Sequence, residues 1–114
     1  MMNRINKKQL TKILLLHKKW LNGIEGGVCA DLTNTNLCDI NLRNVDLTHA
    51  DLRYANLTNV NLTNSKLCNV DLTNSNLTGV NLTNSNLTGA ILCGANLCNV
   101  KGLSKDVIIK SREK

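Results

Sequence analysis

The sequence predicts an all-β solenoid preceded by an N-terminal α-helix. A leucine recurs at every fifth position from Leu32 to Leu97, a regularity that extends over most of the 114-residue chain. Residues 1–28 instead carry apolar side chains at helical spacing. The chain has no Pro, and Trp20 and Tyr54 are its only aromatic residues. Continuous backbone ladders are therefore allowed, and any core must be built from aliphatic side chains.

The N-terminal segment, residues 1–28, is predicted to form an amphipathic basic helix followed by a linker. At about 100° per residue, its apolar side chains fall on one arc and its lysines on the other, with Leu15 as the apolar exception on the lysine side. Asn22 and Gly23 provide a stop signal. We interpret the apolar arc as a cap for the first end of the solenoid, and as a possible interaction surface. Its main members are Leu10, Ile13, Leu14, Trp20 and Leu21.

His17 lies within the same arc, and the sequence places no catalytic or ligand partner beside it or beside His49. We therefore interpret His17 as a packed core histidine.

The repeat consists of fourteen five-residue units without a gap between residues 30 and 99. A small or β-branched residue stands two positions before each leucine, and Asp or Asn stands one position before almost every leucine. Thr and then Asn or Gly usually follow. The predicted structural core consists of the repeat leucines, namely Leu32, Leu37, Leu42, Leu47, Leu52, Leu57, Leu62, Leu67, Leu72, Leu77, Leu82, Leu87, Leu92 and Leu97.

A period of five residues fits neither a straight helix nor a straight strand. Successive leucines would lie about 140° apart on a helix, and they would alternate between the two faces of a strand. All of them can be buried together only if the chain bends once in every unit. Asn or Gly follows most of the leucines at the distance where such a bend is needed, and both tolerate turn conformations.

The phrases Ala30-Asp31-Leu32-Thr33-Asn34 and Ala55-Asn56-Leu57-Thr58-Asn59 resemble the A(D/N)Lxx motif of the pentapeptide-repeat family. The segment HKKWLNGIEGG before the first unit resembles a leader found ahead of many such repeats. The resemblance implies a right-handed quadrilateral β-helix with four units per coil and about 3.5 coils. The predicted domain organisation is a helix and linker over 1–28, the β-helix over 29–101 and a basic tail or cap over 102–114.

With four units per coil, residues twenty apart stack on one side. Asp31, Asp51 and Asp71 would then form a column of like charges, which Arg53 would soften. A disulfide between coils would need two cysteines twenty apart, and none of the cysteines after a repeat leucine meets that requirement: Cys38, Cys68, Cys93 and Cys98. We expect these to be free thiols and expect no metal site.

The positive charge of the chain is concentrated at its ends. Residues 1–29 carry a net charge of +5, residues 30–99 a net charge of −2 and residues 100–114 a net charge of +3. The sequence shows no signal peptide and no apolar run of about 18 residues, the minimum for a membrane span. Together with an odd number of cysteines, this predicts an intracellular, cytoplasmic protein.

The pattern points to a non-catalytic structural or protein-interaction module. We expect no catalytic residues, no cofactor and no metal. An unidentified protein is the expected partner of a chain that is a monomer or a homodimer through one end of the coil. One alternative is a topoisomerase-directed DNA mimic, as some members of the resembled family are, but the weakly charged body and basic ends disfavour it. The other is binding of a membrane or nucleic acid through the basic helix, which is disfavoured if the coil buries the apolar arc.

Overall fold

The computed structural model describes residues 4–103, which form one α-helix followed by a continuous coil. The helix, α1, spans Lys7–Leu21. Asn6 begins it with a capping box, because the Gln9 amide donates to Asn6 Oδ1 at 2.8 Å and the Asn6 amide donates to Gln9 Oε1 at 3.2 Å. The helix occupies part of the segment 1–28, for which the sequence predicts a helix and a linker. It ends before Gly23, whose φ of 65° lies in the left-handed region.

The coil repeats every twenty residues, so that four five-residue units make one turn. Every bridge between coils is parallel and joins residues twenty apart. Within residues 4–103 the strands are single bridges rather than longer runs. The four bridge columns are Asp31–Asp51–Asp71–Ile91, Asn36–Asn56–Asn76–Asn96, Asn41–Asn61–Asn81–Lys101 and Asp46–Lys66–Asn86.

A corner follows every leucine and explains why the strands are so short. The fifth residue of each of the fourteen units has a positive φ, between 55° and 74°. The next amide then donates back to the leucine carbonyl, as Ile40 does to Leu37 at 3.1 Å. A positive φ at the third residue of such a turn is the mark of type II geometry, which Asn and Gly adopt most easily. His49 and Tyr54 occupy two of these corners despite their larger side chains.

Backbone hydrogen bonds hold consecutive coils together along all four sides. The Leu32 amide donates to the Asp51 carbonyl at 2.8 Å, and the Asp51 amide donates to the Ala30 carbonyl at 3.1 Å. The corner also pairs between coils, since the Asn34 amide donates to the Arg53 carbonyl at 3.0 Å. The same pattern recurs wherever one described coil follows another, so the backbone donors there are satisfied without long strands.

The repeat leucines point inward. Twelve of the fourteen are buried, whereas Leu87 and Leu97 near the end of the described coil are only partly buried. Serines take the small inward position in three units. Ser75 and Ser85 each donate to a leucine carbonyl three residues earlier at 2.7 Å, while the buried Ser65 hydroxyl has no partner within residues 4–103.

The segment before α1 joins the coil directly. Arg4 forms a parallel bridge with Asn36, and the Ile5 amide donates to the Asn36 carbonyl at 3.2 Å. Residues 4 and 5 therefore add one more rung beneath the first coil, and α1 begins immediately after that rung. Of the predicted tail over 102–114, residues 104–114 lie outside the described residues.

Candidate interaction surface at the N-terminal cap

The inner side of α1 rests on the first coil. Leu10 is 7% exposed and belongs to the core, and Ile13 and Leu14 are partly buried against the same core. Leu21 is also half-buried, whereas Trp20 is 40% exposed. The predicted capping residues thus divide into three that contact the core, one that is half-buried and one, Trp20, of which two-fifths is exposed.

His17 fastens the helix to the start of the coil. Its side chain is fully buried, and the Ala30 amide donates to its Nδ1 at 2.9 Å. Because Nδ1 accepts this bond, the ring proton must lie on Nε2 and the imidazole is neutral. Burial lowers the pKa of His17, while the nearby Thr48 backbone and the Asp46 carboxylate raise it. The buried Nε2 makes no hydrogen bond of ordinary geometry within residues 4–103.

The two histidines share an aromatic neighbour that the sequence does not reveal. Trp20 lies between them, stacked on His17 at a centroid distance of 5.7 Å and edge-on to His49 at 6.0 Å. His49 belongs to the corner at the end of the first coil, so this cluster links α1 to the repeat. No spacing in the sequence indicates the contact, because it joins a helix to a corner of the coil. The arrangement is an aromatic packing cluster with one neutral, hydrogen-bonded imidazole at its centre.

The linker after α1 folds back along the helix. The Ile24 amide donates to the Lys19 carbonyl at 2.9 Å, and the Val28 amide donates to the Leu16 carbonyl at 3.0 Å. Gly27 lies directly on the helix backbone, where an added Cβ would come within 2.3 Å of the backbone nitrogen of Trp20. This close approach requires glycine. It leaves Ile24 and Val28 outside, 52% and 56% exposed.

The outer side of α1 carries a stripe of four residues, Lys8, Lys12, Leu15 and Lys19, which we call the lysine stripe. At 3.6 residues per turn, these positions lie within about 60° of one another. Lys8 and Lys12 are exposed, and Leu15 is 57% exposed between them and Lys19. The one apolar residue that the helical wheel assigns to the polar side is therefore accessible in the folded chain.

The outer sides of the coil are organised by the Asp or Asn before each leucine. In the first unit, Asp31 Oδ1 accepts from the Thr33 amide at 3.0 Å and from the Thr33 hydroxyl at 2.7 Å. The same pair of bonds recurs in most units where Thr follows the leucine. These bonds hold the side chains in fixed positions. Each of these threonine hydroxyls donates its hydrogen bond to a side chain of its own unit.

Asp31, Asp51 and Asp71 form the predicted acidic column, joined by parallel bridges. Arg53 donates to both oxygens of Asp51, at 2.9 and 2.7 Å, and its Nε lies 3.9 Å from Asp71. The hydrogen bond from Arg53 lowers the pKa of Asp51 and raises the pKa of Arg53. Both partners are substantially exposed, so the pair offsets repulsion within the column and contributes modestly to stability.

All five cysteines are free thiols. Burial raises the pKa of Cys29, and the Asp51 and Asp31 carboxylates raise it further. The pKa of Cys38 is also raised, by burial and by Asp39. A raised pKa leaves little thiolate at neutral pH, which argues against a nucleophilic role for these two cysteines. Residues 4–103 contain no group of three metal-ligating side chains. In the same residues, no helix has both the length and the apolar character needed to cross a bilayer.

A sequence model of the family described as Pentapeptide repeats matches residues 28–64 and 61–99, with 8 copies of its repeat. No curated protein matches the chain.

Solved structures with a similar chain path include a pentapeptide repeat protein from the thylakoid lumen of Arabidopsis thaliana, at 24% identity and a TM-score of 0.43. That alignment covers 69% of this chain and 72% of the other. HetL, a pentapeptide repeat protein involved in heterocyst differentiation regulation from the cyanobacterium Nostoc sp. strain PCC 7120, is 30% identical, with a TM-score of 0.36. That alignment covers 64% of this chain and 40% of HetL.

QnrB1, a plasmid-mediated fluoroquinolone resistance protein, is 24% identical over 71% of this chain and 44% of its own, with a TM-score of 0.41. The chain therefore spans less than half the length of HetL and of QnrB1.

Proposed function

Because the chain belongs to the pentapeptide-repeat family, we propose that it is a non-catalytic structural module that binds another protein through the sides of its coil. The observation that carries the proposal is the fixed arrangement of the outward side chains. Asp and Asn oxygens accept the amide and hydroxyl of Thr two residues later, so the polar surface is ordered before any partner arrives. Ordering side chains in advance lowers the entropic cost of association.

The proposal assigns residues 1–28 to a cap on the first coil and residues 29–101 to a right-handed β-helix of about 3.5 coils. The sealing of the first end by α1 supports this assignment, since an exposed coil end would invite pairing with other chains. Residues 102–114 would be a basic tail or a cap on the last coil. Five free thiols support a reducing compartment such as the cytoplasm.

The test is a pull-down from host extract with the full chain and four variants, each altered on a different side of the coil. The substitutions are Arg43→Glu, Arg53→Glu, Lys66→Glu and Thr78→Arg. All four positions lie outside the leucine core, so each variant is expected to keep the β-structure seen by circular dichroism. The melting temperature should fall most in Arg53→Glu, because that change also breaks the pair with Asp51. We expect one variant to lose a partner that the other three retain.

Loss of the same partner from all four folded variants would contradict recognition by one side of the coil. So would a pull-down in which the wild-type chain retains nothing beyond what a denatured sample of the same chain retains. The four variants act as controls for one another, because each changes charge on a single side.

A further inference from the structure

Within residues 4–103, the exposed large apolar side chains are concentrated at the N-terminal end, where the chain is most basic. The described residues contain six exposed large apolar side chains, and four of them lie between residues 15 and 28. They are Leu15, Trp20, Ile24 and Val28. Only Trp20 of these four belongs to the apolar arc of α1, and the residues of that arc that cap the coil, such as Leu10, are already buried.

Backbone contacts bring these side chains to one end of the molecule. Leu15 stands in the lysine stripe, one turn before Lys19. The amide of Ile24 donates to the Lys19 carbonyl, and the amide of Val28 donates to the Leu16 carbonyl next to Leu15. The linker therefore places two further apolar side chains along the same helix that carries the stripe.

The charge around this surface has one sign. Residues 1–29 contain six basic residues and a single acidic one, Glu25. The body of the coil, in contrast, carries a small net negative charge. The field at the cap therefore attracts anions and gives the molecule a preferred orientation toward an anionic surface.

From these observations we propose that the N-terminal cap binds the surface of a membrane containing anionic lipids. The lysine stripe would contact the headgroups, and Leu15, Ile24 and Val28 would enter the boundary between headgroups and acyl chains, with Trp20 at the interface. Lysines are attracted to anionic headgroups, and apolar side chains gain free energy when they are buried at the interface. The phosphates of a nucleic acid would attract the lysines, but they offer nothing to four exposed apolar side chains.

This mode of binding differs from that of an ordinary amphipathic helix. The apolar arc of α1 remains on the coil, and the molecule keeps its folded structure when it binds. Contact is made by the opposite side of the helix, by the returning linker and by the exposed part of Trp20 at the edge of the apolar arc. The proposal is independent of a protein partner on the sides of the coil, because none of its residues belongs to the repeat.

Vesicle binding by the full chain tests the proposal. Trp20 is the only tryptophan in the sequence, so its emission reports on this surface alone. We expect the emission to shift to shorter wavelength with vesicles of phosphatidylcholine and phosphatidylglycerol, and to remain unchanged with phosphatidylcholine alone. Neutralising both lysines in Lys12→Gln/Lys19→Gln should lower the partition coefficient by about fivefold for each charge. High salt should weaken binding, because it screens the lysines.

Two further variants distinguish binding to a lipid surface from binding that depends only on the negative charge of phosphate. Leu15→Ser and Ile24→Ser keep every charge and change only exposed side chains, and we expect each to reduce vesicle binding. Lys66→Gln removes one charge from the body of the coil and serves as the matched control, with binding unchanged. Binding to duplex DNA, at the same phosphate concentration as the vesicles, is measured for comparison.

Absence of binding to anionic vesicles at low salt would overturn the proposal. So would equal binding to phosphatidylcholine alone, or unchanged vesicle binding in both serine variants. Tighter binding to duplex DNA than to anionic vesicles, with no loss in the serine variants, would identify the surface as a phosphate site instead. Circular dichroism and thermal melting of every variant establish that a loss of binding does not come from unfolding.

Discussion

The two ends of the described coil bury their leucines to different degrees. In the first coil, Leu32, Leu37 and Leu47 have no exposed surface, although no other coil lies beneath them. Toward residue 103, Leu87 and Leu97 are only partly buried. The first end is covered by α1 and by the rung that Arg4 forms with Asn36, and residues 4–103 contain no comparable element over the last units. A leucine of this coil is fully buried only when another layer lies on each side of it.

Truncating a leucine at each end should give the largest effect and tests the comparison directly. Leu37 and Leu97 occupy the same position of equivalent units, three coils apart. We expect Leu37→Ala to lower the free energy of unfolding by about 2–5 kcal/mol, since it leaves a cavity in a closed core. Leu97→Ala should cost roughly 1–2 kcal/mol, because part of that side chain already contacts water. Urea denaturation followed by circular dichroism measures both.

Comparing the two variants shows whether the far end of the coil is covered in solution. A cost for Leu97→Ala equal to that of Leu37→Ala would mean that something covers the far end of the coil in solution. A dependence of that cost on protein concentration would then identify a second chain as the cover.

A change of pH should act on the capped end through His17, with an effect smaller than that of Leu37→Ala. Burial lowers the pKa of His17 below its ordinary value of about 6.5, so the unfolded chain binds this proton more readily than the folded one. The stability that His17 contributes is therefore present above about pH 6.5 and is lost as the pH falls below it. Protonation would also abolish the bond from the Ala30 amide, because Nδ1 could no longer accept.

We expect the melting temperature of the wild-type chain to fall between pH 7 and pH 5 more steeply than that of His17→Gln. His49→Gln is the matched control, since it removes an exposed histidine from the same cluster. Parallel curves for the wild-type chain and His17→Gln would show that the cap does not respond to this proton.

The acidic column on the body of the coil should give the smallest effect. Arg53→Ala removes the pair with Asp51 and the weaker contact with Asp71, leaving three stacked carboxylates. We expect a small loss of stability, below that of Leu97→Ala, that shrinks as salt is added. Because Arg53 holds the pKa of Asp51 low, the stabilisation is present at neutral pH and is lost as the pH falls through that lowered pKa. Denaturation at two salt concentrations measures it, with Lys66→Ala as the control.

The repeat could be predicted from the sequence because its period determines both burial and bending. Leu57 and the leucines around it are buried because each unit turns a corner, and the Asn or Gly that permits the corner is visible at a constant distance. The acidic column likewise follows from a spacing of twenty residues. The exposure of Leu15 was also visible on the helical wheel.

No periodic pattern in the sequence predicts the contacts within the cap. The bond between His17 and Ala30, the position of Trp20 between two histidines and the contact of Gly27 with the helix backbone each join segments of different structure. Their formation depends on the angle at which α1 meets the first coil. That angle depends on the packing of α1 against the first coil and on the rung at Arg4, and no local pattern of residues predicts it.

The near-identical phrases at 70–79 and 80–89 have a consequence for symmetry. Ten residues make half of a coil, so the second phrase lies on the sides opposite the first. Rotation by half a turn about the coil axis, with a rise of half a coil, therefore moves Thr73 onto Thr83 and Thr78 onto Thr88. Opposite sides of the third coil thus present almost the same pattern of side chains. Asp71 and Asn81 are the only pair that differs. A ligand that recognises this coil alone could bind in two equivalent poses, and a single carboxylate would decide between them.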